Sequence, residues 1–294
     1  MKAWLLIAVT GIMFGTLGLC TKFLTTRGVD PFICAAIPFS VSAAIALFFH
    51  PRRRATPWKE GVAMGAVNAA IPALLFNLGF SRLPASLVTL TIGLSPVFTA
   101  LTAHLAFRDD RFTVPKFAGL ALSFGGVSLL SGLPAGSGPG SALAFALTLT
   151  GAALAGGSLV WVRTMVTGQD PRTVLAPMQT GAAIAAVVAA TLGGHPPWDI
   201  GADPGSGALG VVILGLMGAG TFASYVASLK ASEIAPASRV GLMGYLVPLV
   251  GVGGGVVFFD EALTANLVLG GALILAGVAL VGKSNHPVGH PSPG

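Results

Sequence analysis

Charge is scarce in this chain. Only 9% of its 294 residues are Asp, Glu, Lys or Arg, against about 25% in an ordinary soluble domain. Hydrophobic residues reach 54% and mean hydropathy is +0.85. No soluble fold of this size has enough interior to hide that composition, so a water-soluble enzyme is excluded. Intrinsic disorder is excluded too, because it requires low hydrophobicity and high charge. Cysteine is nearly absent. The two present, Cys20 and Cys34, make neither a zinc spacing nor a disulfide framework. No His/Asp/Glu cluster has metal-ligand spacing, and no nucleophile sits in an activating arrangement. No cofactor, metal or catalytic residue is therefore expected. The net charge of +6 is spread thinly between apolar runs, a mark of membrane topology rather than of nucleic-acid binding.

What is abundant is apolar sequence in long runs. A spanning helix needs about 20 such residues. Ten candidates follow: Ala3–Leu24, Phe32–Phe49, Gly61–Phe80, Pro84–Phe107, Val114–Gly132, Ala142–Val162, Val174–Leu192, Gly207–Leu229, Ala237–Phe259 and Thr264–Gly282. The first reads as a transmembrane helix rather than a signal peptide, since no clear cleavage site interrupts it. Segments such as Leu143-Ala144-Phe145-Ala146-Leu147 are apolar on both parities, which excludes the alternation of a β-barrel. The expected fold is all-α, a polytopic membrane protein of ten helices. The Pro-rich tail 284–294 is expected to be disordered.

Positive charge orients the helices. With the N-terminus in the cytoplasm, thirteen of the 16 Lys and Arg residues fall inside, and only Lys22, Arg27 and Arg82 fall outside. The positive-inside rule then predicts both termini in the cytoplasm.

The two halves resemble each other. At an offset of 152 residues, Pro84-Ala85-Ser86 matches Pro236-Ala237-Ser238, Pro96 matches Pro248, Asp109 matches Glu261, and Gly119 and Gly125 match Gly271 and Gly277. At an offset of 140, Thr10-Gly11 matches Thr150-Gly151 and Asp30-Pro31 matches Asp170-Pro171. The halves are 1–132 and 142–283, joined by a linker at 133–141. Five helices per half is odd, so the second half enters the membrane from the opposite side. Inverted repeats of this kind supply a route to alternating access.

The twice-occurring pattern Ala85-Ser86…Pro96…Asp109…Gly119 and Ala237-Ser238…Pro248…Glu261…Gly271 resembles the ten-helix drug/metabolite transporter superfamily over nearly the whole length. Within it the chain is most similar to bacterial aromatic and neutral amino-acid exporters. Many members carry Glu where this chain has Asp109. The resemblance implies a multi-pass protein of the bacterial inner membrane that exports small amphipathic metabolites, amino acids among them, with a monomer sufficient for transport. Carriers of drugs, nucleosides or sugar phosphates, and a non-transporting scaffold or receptor, are the alternative readings.

Polar groups inside hydrocarbon should face partners or water. Asn68, Asn77, Thr89, Thr91, Ser95, Ser158, Gln179, Ser224, Tyr225, Ser228 and Tyr245 are such groups. Asn77, Ser95, Trp161, Tyr225 and Tyr245 are the substrate-binding candidates, because amides, hydroxyls and ring edges can orient a polar cargo. Trp161 also suits an interfacial belt. Pro96 and Pro248 lie mid-span, where a missing N–H kinks a helix, and are expected to be hinges. His104 and Arg163 are gate candidates, with interfacial histidine and lipid-snorkelling arginine as the plainer roles. The glycines at 215, 218, 220, 251, 253, 254 and 255 are expected to permit close helix contact.

Overall fold

The computed structural model describes residues 2–51, 57–106, 113–131, 140–166, 171–195, 207–234 and 243–283. Regular structure among the described residues is helical throughout. In chain order the helices are α1 (Lys2–Thr26), α2 (Ile33–Phe48), α3 (Trp58–Arg82), α4 (Ala85–Ile92 continued by Ser95–Ala106), α5 (Val114–Ser131), α6 (Ser141–Val166), α7 (Pro171–Leu192), α8 (Ala208–Ile234), α9 (Met243–Phe259) and α10 (Ala265–Lys283). Six of them, α1, α3, α4, α6, α7 and α8, are long and apolar enough to cross a membrane, while α2, α5, α9 and α10 are shorter apolar helices. The expected ninth span began at Ala237, and the part before Met243 lies outside the described residues, as do Asp109 and Ser238.

The exterior carries many large apolar side chains beside an apolar core. Large apolar side chains such as Phe48, Leu192 and Phe258 are 82%, 84% and 73% exposed, which suits a surface facing lipid tails. Hydroxyls are buried as well, beside apolar residues such as Leu87, Leu130 and Ile274. Thr10, Thr148 and Ser224 are completely enclosed and donate back to the carbonyls of Leu6, Ala144 and Gly220 at 2.8, 2.8 and 2.7 Å. A helix hydroxyl satisfied within its own turn adds no unpaired group to the interior.

Each helix packs on a partner from the other half. α5 packs on α10, α2 on α7, and α4 on α9. α1 packs on α8 and α9, and α6 packs on α3 and α4. α2 also packs on α8, and α3 on α7.

Two local features depart from the expected uninterrupted spans. The fourth span, expected to run from Pro84 to Phe107, breaks at Gly93-Leu94 and restarts at Ser95. Pro96 then occupies the first turn of the second segment, where its missing N–H costs nothing. In α3 the stretch Gly65–Ala70 is a π-helix. Pro72 follows at once and cannot donate to the carbonyl four residues earlier, so the widened turn accommodates its ring.

Helix pairs approach closely where glycine removes the side chain. Gly119 and Gly126 of α5 oppose Gly277 and Gly270 of α10. A Cβ at Gly126 would stand 2.6 Å from the Gly270 carbonyl oxygen, so the two backbones are in direct contact. Gly125 points away, with nothing within 4 Å of its Cβ position. Gly277→Val is therefore expected to force α5 and α10 apart and to cost about 1–3 kcal/mol or more in packing. Thermal melting of the purified protein in detergent should show a lowered midpoint for Gly277→Val and an unchanged one for Gly125→Ala.

Candidate functional site

The helices that carry the two expected hinges, Pro96 and Pro248, cross. At the crossing of α4 and α9, the Pro96 ring packs on Gly244 and the Pro248 ring packs on Gly93. Each proline thus sits on a glycine about one turn ahead of the other proline. A Cβ would come within 3.1 Å of Pro96 Cγ at Gly244 and within 2.8 Å of Pro248 Cγ at Gly93. One turn along, Thr89 fills the space left by Gly251. Gly254 lies against Leu19 of α1, whereas Gly253 and Gly215 meet nothing within 4 Å. At the break in α4, Ser95 Oγ donates to the Ile92 carbonyl at 2.7 Å. Thr99 Oγ1 donates to the Gly156 carbonyl at 2.9 Å, which ties the restarted helix to α6.

The same pair of helices is fastened at one end by charge. Pro84 precedes α4 and offers no side-chain cap. The first N–H groups of a helix need an acceptor, and a carboxylate also matches the positive end of the helix dipole. Glu261 supplies both: its two carboxylate oxygens accept from the backbone N–H groups of Ala85 and Ser86, the latter at 2.9 Å. Asp260 makes this possible by adopting a left-handed backbone, φ 52°, a conformation short polar residues tolerate. The chain then folds back, with the Glu261 N–H donating to the Gly255 carbonyl at 3.1 Å. A Cβ at Gly255 would collide with the Glu261 carboxylate.

The neighbouring helix end is closed by the opposite charge. Lys22 of α1 donates from Nζ to the carbonyls of Phe80 and Leu83, at 3.1 and 2.7 Å, across the last turn of α3. An ammonium suits the negative end of a helix dipole. On the adjoining turn, Asp30 accepts from the Phe32 N–H at 2.7 Å and lies 3.5 Å from His195 Nδ1, beyond the end of α7.

The remaining sequence-predicted residues are dispersed. Asn77 is buried and donates from Nδ2 to the Pro31 carbonyl at 3.1 Å, which anchors the α1–α2 turn. Tyr225 meets Phe14 edge-on at 5.7 Å and packs with α2, α3 and α7. Tyr245 packs in a different cluster, with α3, α4 and α6. Trp161 is exposed on α6, and His104 is half-buried near the end of α4. Arg163 lies in α6, and its side chain is outside the described residues. Two polar groups outside the leading candidates hold central positions. Asn68, on the π-helix, donates to Ser158 Oγ at 2.9 Å and so links α3 to α6. Gln179 is 0% exposed, and neither of its amide atoms has a hydrogen-bond partner among the described residues. The signal for both was present in the sequence, as amides inside apolar runs.

A bundle with an apolar exterior, hydroxyls and amides enclosed beside its apolar core, and a broken helix crossing a proline-containing one is the framework of a membrane transporter. Residues 1–132 and 142–283 match the EamA-like transporter family. The chain belongs to that family, within the drug/metabolite transporter superfamily. It is similar to an uncharacterized transporter of Archaeoglobus fulgidus, 23% identical over 288 residues that span 96% of this chain and 99% of that one. A solved crystal structure shares its fold, with a TM-score of 0.60, 22% identity and 95% of each chain covered.

Removing the Glu261 charge should uncap α4. Hydrogen bonds to a charged group contribute about 1.5–3 kcal/mol, so Glu261→Gln is expected to lower the melting midpoint by on the order of 5 °C. Gly255→Val, which displaces the same carboxylate, should have a comparable effect. Added to Glu261→Gln, it should cost much less than it does alone, because the two act on one contact.

Proposed function

We propose that the protein moves small neutral or aromatic amino acids and related metabolites out of the cell by alternating access between two inverted five-helix repeats, 1–132 and 142–283. The observation that carries this reading is the pattern of helix partners. Exchanging α1–α5 with α6–α10 in order turns α1·α8 into α6·α3, α1·α9 into α6·α4, and α2·α8 into α7·α3, and all of these pairs are present. The pairs α2·α7, α4·α9 and α5·α10 map onto themselves. A bundle whose halves play interchangeable parts can swap their conformations, and so turn a cavity that faces one side into one that faces the other.

In this reading Pro96 and Pro248 are the paired hinges, and Gly93 and Gly244 are the smooth surfaces on which they turn. Ser95, Asn77, Trp161, Tyr225 and Tyr245 orient the cargo, joined by Gln179, whose unpaired amide calls for a polar partner. His104 and Arg163 gate the end opposite Glu261. The described carboxylates, Asp30, Glu60, Asp260 and Glu261, stand in turns or at helix ends. That placement favours an uncoupled carrier over one with a carboxylate relay in mid-membrane. The protein is a carrier rather than an enzyme, lies in the inner membrane of a bacterium with both termini in the cytoplasm, and works as a monomer.

Flux of labelled phenylalanine, leucine and alanine into proteoliposomes tests the cargo. Saturable, protein-dependent uptake of at least one is expected. Uptake of none of them would overturn the amino-acid reading. Imposing a pH gradient should leave the initial rate and final accumulation unchanged. Pro248→Ala should slow transport several-fold while cargo binding survives.

A further inference from the structure

The cations on the sparsely charged side of the bundle point to a second site. Charge distribution leaves only Lys22, Arg27 and Arg82 on that side. Cations there work against insertion, so those retained have another use. Arg27 stacks on the Phe23 ring at 4.2 Å. Lys22 and Arg82 do something different: both line one open cavity of about 330 Å³, at the corner where α1, α3 and α9 end and α4 begins. That volume falls at the small end of ligand sites, roughly 300–1,000 Å³.

The lining has two characters. Leu83, Pro84 and Phe259 form an apolar wall, and Lys22, Arg82 and Glu261 form the polar one. The single carboxylate is already committed, since both of its oxygens accept from the N-terminal N–H groups of α4. Lys22 uses two donors on the Phe80 and Leu83 carbonyls, and an ammonium has three. Arg82 is exposed and brings the planar fork that matches a carboxylate with two parallel hydrogen bonds. The formal charge of the lining is positive, with two cations against one carboxylate.

We propose that this cavity binds a small amphipathic carboxylic acid, its carboxylate held by Arg82 and Lys22 and its apolar body lying on Phe259, Leu83 and Pro84. The site sits at one mouth of the bundle, away from the proline crossing. It does not depend on which cargo is carried. Binding is measured without any gradient, so it stands or fails separately from transport.

The test uses the full chain in phosphatidylcholine nanodiscs and the probe 3-phenylpropionate, measured by equilibrium dialysis. Saturable binding of one probe per chain is expected, with the uncharged 3-phenylpropionamide binding at least tenfold more weakly. Arg82→Gln should raise the probe Kd about tenfold or more, the loss of one charge-assisted pair. Arg82→Lys should recover only part of it. Phe259→Ala should raise Kd several-fold and also shrink the preference for 3-phenylpropionate over acetate. This variant decides the matter if Arg82→Gln melts early. Absence of saturable binding, equal binding of acid and amide, or an unchanged Kd in both variants would overturn the proposal. Nanodiscs containing phosphatidylglycerol provide the remaining arm. Unchanged probe binding there supports a small-molecule carboxylate site, whereas its abolition would assign the cations to a lipid phosphate and overturn it.

Discussion

Lipid offers no reward for burying apolar side chains between helices, because hydrocarbon surrounds them either way. Cohesion in this bundle has to come from close contact and from polar groups that have nowhere else to go. Both requirements lead to small residues. Where Gly119 and Gly126 meet Gly277 and Gly270, the backbones of α5 and α10 touch. At the α4–α9 crossing, the same economy of side chains lets two proline rings seat in glycine hollows. Phe48, Leu192 and Phe258 face outward, while the interior combines Leu, Val, Ile and Ala with enclosed Thr and Ser.

Charge performs a separate task. With so few ionic groups, two of those described at this face have structural work at helix ends. Glu261 closes the start of α4, and Lys22 closes the end of α3. These two contacts bracket the α3–α4 turn and join it to α9 and α1. The crossing of α4 and α9 is therefore clamped at one end, while α4 is interrupted in its middle at Gly93-Leu94.

Much of this was legible in the sequence. Low charge and long apolar runs indicated a membrane bundle, and the matching positions of Pro96 and Pro248 marked two helices that cross, each proline seated on a glycine of the other helix. The partner of Glu261 was not legible. Its acceptors' donors, Ala85 and Ser86, are 176 and 175 residues away, and no local pattern specifies a contact at that range. In hindsight the repeat held a clue, since the acidic residue of the second copy caps the Pro-Ala-Ser start of the first. The break in α4 was hidden for another reason: Gly93-Leu94 is apolar and adds nothing to a hydropathy profile. Asn77 Nδ2 reaches the Pro31 carbonyl of a turn 46 residues away, a partner that only the path of the chain reveals.

The π-helix in α3 has a mechanical consequence. An extra residue in one turn rotates everything after it by about 100° relative to a regular α-helix. Before and at the start of that turn, α3 leans on α7 through Gly61 and Gly65; Asn68 within it reaches Ser158, and after it Gly79 and Phe76 face α6. One continuous rod thus presents differently phased faces to two neighbours. The rotational offset between α6 and α7, as felt by α3, is set by a single inserted residue.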